Sequence, residues 1–145
     1  VARFSVGARA AGAGSTLLPS GSLYSPAGSG GRLREVGVFN TTATAVAIKL
    51  ARLTTAGTQG ATLTEVEHDE VGPPPLMTAF NTHTAGPTIA GDLYQASLGA
   101  AIGAGVIWTF GDSGIVIPVA VTNGVGIVTA TGTGQILDFY FVWDE

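Results

Sequence analysis

The sequence predicts an all-β fold, a single-domain β-sandwich of jelly-roll type, and three observations lead there. Apolar and polar residues alternate with period two in segment after segment. No apolar stripe at i, i+3, i+4 and i+7 bracketed by capping residues is sustained anywhere. About ten short apolar runs are separated by Gly, Asn and Pro, the spacing of a sandwich rather than of alternating strands and helices.

The domain is expected to span 1–145, with a first strand and a Gly/Ser-rich extended arm or long loop in 1–31 and the sandwich body in 32–145. Strands are expected at 3–8, 21–24, 33–39, 44–54, 61–67, 76–81, 92–98, 105–110, 115–121, 126–130 and 135–143. The first of these alternates Phe4, Val6 and Ala8 with polar or small residues and lacks the continuous apolar run of a signal peptide. Residues 11–31 (AGAGSTLLPSGSLYSPAGSGG) are irregular around short apolar pieces. In 44–54, Val46, Ile48 and Leu50 alternate with Ala45, Ala47, Lys49 and Ala51, so the second face is small enough to pack closely against another surface. Residues 65–75 (EVEHDEVGPPP) join an acidic cluster to three prolines, which enforce an extended crossover between sheets. Pro118 removes a ladder donor, so its strand belongs at an edge or a bulge. Asn123-Gly124 is a strong hairpin signal, which sets the last three strands side by side with TGTG (131–134) as the next turn. The final strand, QILDFYFVWDE, turns Leu137, Phe139, Phe141 and Trp143 to one face and makes a core wall.

Composition narrows the function. Only 11% of residues are charged, while 46% are hydrophobic; an ordinary soluble domain carries roughly 25% charged residues. Such a surface is expected to meet protein rather than water, as in an obligate oligomer or lattice component. Residues 1–52 hold all six Lys and Arg residues against Glu35 alone, and residues 53–145 hold nine acids and no Lys or Arg. That polarity can orient a subunit on a partner. The contact surface is expected to include Arg3, Phe4, Arg9, Arg32, Arg34 and Trp143. No run of about 18 apolar residues provides a membrane helix. The absence of cysteine removes disulfides and thiolate metal sites, and fits assembly in a reducing cytoplasm.

Gly111-Asp112-Ser113-Gly114 matches the four residues around the nucleophile of chymotrypsin-like proteases, yet it continues as IVIP rather than GP, and the two histidines, His68 and His83, lack that family's context. The same four residues make a good hairpin turn. Glu65, Glu67, His68, Asp69 and Glu70 raise calcium or manganese binding, but the alternating loop pattern of acidic ligands is missing. No catalytic, cofactor or metal residue is assigned, and the net charge of −4 disfavours nucleic acid. Tyr24, Tyr94, Trp108 and Tyr140 are the aromatic candidates for a carbohydrate-binding module.

Taken together, the opening ARFSVGA, the hairpin LREVGVFNTTATAVAIKLARL, the segment IGAGVIWTFGDSGIVIP and the ending FYFVWDE resemble the small all-β virion proteins of tailed bacteriophages. The likeness is one of style and segment order over most of the chain. It implies a capsid decoration or cement protein on the outer shell of the virion, assembled in the host cytoplasm. Such a protein forms a homotrimer, clamps the major capsid protein through its N-terminal arm, and stabilises the shell. A tail or fibre component and a glycan-binding sandwich are the alternatives.

Overall fold

The computed structural model describes residues 2–145 and is all-β, with two antiparallel sheets packed face to face. In chain order the strands are β1 (Arg3–Arg9), β2 (Gly21–Tyr24), β3 (Gly31–Asn40), β4 (Val46–Leu53), β5 (Val66–Glu67), β6 (Thr78–Phe80), β7 (Ile89–Leu98), β8 (Gly105–Thr109), β9 (Ile115–Ile117), β10 (Gly124–Thr131) and β11 (Leu137–Asp144). One sheet runs β5-β1-β11-β3-β8, with β9 also on β3; the other runs β6-β2-β10-β4-β7. Across them the pairing nests from the ends inward: β1 with β11, β2 with β10, β3 with β8, β4 with β7.

The alternation in β11 does what period two requires: Leu137, Phe139, Phe141 and Trp143 are buried between the sheets. Opposite them on neighbouring strands stand Phe4, Val6, Leu33, Val36 and Val38. Val46, Ile48, Leu50, Leu23, Val125 and Ile127 close the core from the second sheet. A smaller buried layer lies on that sheet's outer side, where Tyr24 approaches Phe80 and His83. The surface that covers Ala51 is the chain's own. Pro19 and Leu53 close over Gly126, its cross-strand partner.

Several expectations about connections are corrected. Asn123-Gly124 does not close a hairpin: β9 lies in the first sheet and β10 in the second, so the residues between them bridge the sheets. The last three strands are therefore not neighbours, and 132–136 crosses back again. Likewise β3 and β4 belong to opposite sheets and form no hairpin. The physical reason is at Pro118, which ends β9 after Ile117, and at Ala120, held at φ 146 in a turn closed by Asn123 N–H to its carbonyl. β9 is an edge strand, the place a following proline favours. The triple proline does lie on the crossover from β5 to β6.

The Gly/Ser-rich stretch is a long loop rather than an outstretched arm. Ala11 N–H donates to Asn81 Oδ1 (2.8 Å), His83 N–H to the Pro19 carbonyl (3.0 Å) and Ser20 N–H to the Ile127 carbonyl (2.7 Å), which fold it onto the second sheet. Truncating Trp143, fully buried beside Phe4 with ring centroids 6.0 Å apart, leaves a cavity at the end of the wall. Trp143→Ala is expected to lose about 3–5 kcal/mol of stability in a denaturant titration, and an exposed Val71→Ala to lose almost none.

Candidate functional site

The outer face of the first sheet carries the main polar cluster. Because Arg3 of β1 and Arg32 of β3 both sit opposite Asp144 of β11, three strands bring one carboxylate between basic side chains. A bulge at Val142/Trp143 leaves Arg34 as the extra residue on β3, and it turns toward the same carboxylate. Arg3 grips both oxygens of Asp144, Nε on Oδ1 (2.7 Å) and Nη2 on Oδ2 (3.0 Å); Arg34 Nε also reaches Oδ2, at 2.7 Å. Arg3, Arg32, Arg34, His68, Asp112 and Asp144 line an open cleft of about 650 Å³.

Arg32 and Arg34 also fix the loop that follows β8. Arg32 Nη1 donates to the Ser113 carbonyl at 2.7 Å, and Arg34 Nη1 to the carbonyls of Gly111 (3.0 Å) and Asp112. Gly111-Asp112-Ser113-Gly114 is thus no hairpin: β8 and β9 both pair with β3 and run end to end along it, with the loop bulging out between them. Its glycines take φ 64 and 61, the left-handed values for which glycine is suited. Neither histidine's hydrogen bond goes to Ser113. His68 Nε2 lies 3.1 Å from Ser5 Oγ, and His83 Nε2 lies 2.7 Å from the buried Ser22 Oγ.

The sequence polarity largely cancels in space. Arg3 and Arg34 pair with Asp144, Arg9 with Asp138 at 2.7 Å, and Lys49 with Asp92 at 2.9 Å. Arg52 Nη1 crosses the end of the sandwich to the Val116 carbonyl at 2.8 Å. Every basic side chain of the first third is held within the chain. Of the residues expected at a contact surface, Arg3, Arg32 and Arg34 come together, and Arg9 sits at the far end of β1. Phe4 and Trp143 are 1% and 0% exposed, so they build the core instead of a surface.

The acidic cluster does not converge. Glu65 Oε1 accepts from Ala79 N–H and Asp69 Oδ1 from Val71 N–H, and no group of three potential metal ligands forms among the described residues. The aromatic candidates disperse too. Tyr24 is buried with its hydroxyl on the Thr55 carbonyl, and burial disfavours the phenolate and pushes its pKa well up. Tyr140 donates to Glu35 Oε2 at 2.6 Å; burial first, then that carboxylate, pushes it up to about 12. Tyr94 and Trp108 remain together at a lateral edge, tilted 32° to each other. Sequence reasoning missed Asp144 and Glu145. The Glu145 carboxylate accepts from Leu76 N–H, Met77 N–H and Trp143 Nε1, tying the proline crossover to the end of the core wall.

Among the described residues no helix is long and apolar enough to cross a membrane. Compared with known protein families, curated proteins and solved structures, the chain matches none.

Hydrogen bonding to Arg3, reinforced by the charges of Arg3 and Arg34, holds the Asp144 carboxyl below its ordinary value of 3.8. A depressed carboxyl contributes stability above its unfolded value and loses it as pH falls through the folded one. Asp144→Asn is therefore expected to cost about 2 kcal/mol at neutral pH and to flatten the stability loss below about pH 4, read by urea titration across pH. His83 is also depressed, for a different reason, and costs stability in the same direction, as pH falls, but at higher pH: burial lowers it, against a smaller pull from the Ala85 backbone. The unfolded chain then takes the proton first, so stability is full above about pH 6.5 and falls below it. His83→Gln is expected to remove that limb of the pH profile while leaving the acid limb of Asp144 in place.

Proposed function

We propose that the chain is a non-enzymatic structural subunit of a phage particle, a capsid decoration protein that self-associates and reinforces the shell; a tail or fibre position is the other place for it in the same kind of particle. The nested strand pairing supports reading the sandwich as a jelly roll. One observation carries the functional reading: the basic groups are satisfied within the chain, while one lateral side of the sandwich, β7 and β8, ends uncovered and free of charge along 93–111. A surface of that kind associates through apolar contact and strand edges rather than through ionic attraction.

Reinforcement then works by mass action. A subunit that binds only the assembled shell lowers its free energy, by about 2.7 kcal/mol per site at a concentration one hundred times Kd. The test is to purify particles from the native host and quantify the chain by mass spectrometry. A fixed ratio to the shell protein is expected, with stripped particles breaking at lower temperature and recovering on addition of purified chain. Re-binding is expected to change little between about 0.05 and about 0.5 M salt, because few exposed charges are available to screen. Finding the chain only in the soluble fraction overturns the reading.

A further inference from the structure

We propose that two copies of this chain join edge to edge through β7, antiparallel across a two-fold axis, over residues 94–98. This rests on the self-association in the reading above, and it sets a two-fold contact where the resemblance implies three-fold symmetry.

The two lateral sides of the sandwich are finished differently. On one side β5 covers the edge of β1 and β6 covers the edge of β2, both strands supplied by the long excursion between β4 and β7. On the other side the sheets end on β7 and β8. At ten residues β7 is a long edge strand, and an uncovered edge offers a row of backbone N–H and C=O groups to any strand that approaches. Its first half is blunted: the register against β4 shifts between Leu50/Ala51 and again between Arg52/Leu53. Its second half is open. Residues 94–98 run in unbroken register opposite 46–50 and contain no proline, lysine or other charge.

The occupant that fits is a second β7. A strand paired antiparallel with its own copy is an isologous contact, so one association covers both open edges. Residues 93–111 contain no ionic side chain, so the two copies meet without like-charge repulsion. With Ala96 on the axis, Asp92 falls opposite Ala100 of the second copy. The two Asp92 residues are then about 27 Å apart along the strands, some three Debye lengths at physiological salt. The same approach covers the mouth of the sandwich, where Tyr94, 45% exposed, leans on Phe110 and Trp108 at centroid distances of 5.3 and 6.1 Å. Residue 95 of one copy faces residue 97 of the other, and both Gln95 and Ser97 are exposed in the single chain.

Sedimentation velocity at micromolar concentration tests this. The native chain is expected to run as a dimer. The double variant Gln95→Lys, Ser97→Lys sets like charges across the axis and is expected to raise Kd at least ten-fold, with the far-ultraviolet circular dichroism of the fold unchanged. The variant Gln95→Lys, Ser97→Asp sets opposite charges in the same positions and restores the dimer. Thr64→Lys, Val71→Lys adds the same charge on the opposite side, beside β5, and leaves the dimer intact. A native monomer overturns both this contact and the self-association it rests on. A trimer, or a dimer indifferent to the paired lysines, overturns the contact alone.

Discussion

The two sheets hold together because β11 is bonded on both sides and turns four large side chains inward at every second position. Hydrogen bonding to β1 on one flank and β3 on the other fixes its register, and a slip of one residue would send Phe139, Phe141 and Trp143 to the outer face. The same register has a polar consequence. It brings Asp144 level with Arg3 and Arg32 on the opposite face, so the ion cluster exists because the aromatic wall is in place. Core and cluster are two faces of one alignment.

That alignment changes how the scarcity of charge is to be understood. A body with few ionic groups could still hold a charged docking surface if the groups were gathered and unpaired. Here the basic residues of the first third meet acids from distant parts of the chain, across as many as 141 positions, or donate to backbone carbonyls. Along 93–111 what faces outward is apolar, amide or hydroxyl in character. The basic groups therefore serve folding here, and in the proposed assembly association falls to strand edges and exposed aliphatic side chains such as Ile102 and Ile107.

The strands were largely legible from the sequence because alternation and the Gly, Pro and Asn breaks are local properties. Residues 21–24 and 105–110 needed no more than that. The sheet to which each strand belongs was not legible. Asn123-Gly124 reverses the chain whether the next strand lies beside the last or across the core, and turn chemistry alone does not separate the two. A signal for the first and last strands was nevertheless present. Arg3 and Arg9 have the same spacing as Asp138 and Asp144, and two antiparallel strands place both pairs in register. The convergence of Arg34 on Asp144 was beyond reach, since it depends on a bulge that no residue type announces.

The loop after β8 has a use in protein engineering. Its two flanking strands are each zipped separately to β3, so neither depends on the other for alignment. Extra residues inserted between Asp112 and Ser113 would lengthen a surface excursion without sliding either neighbour, at an entropic cost that grows only slowly with insert length. The chain thus offers a graft point on its solvent face, away from the aromatic wall that keeps it folded.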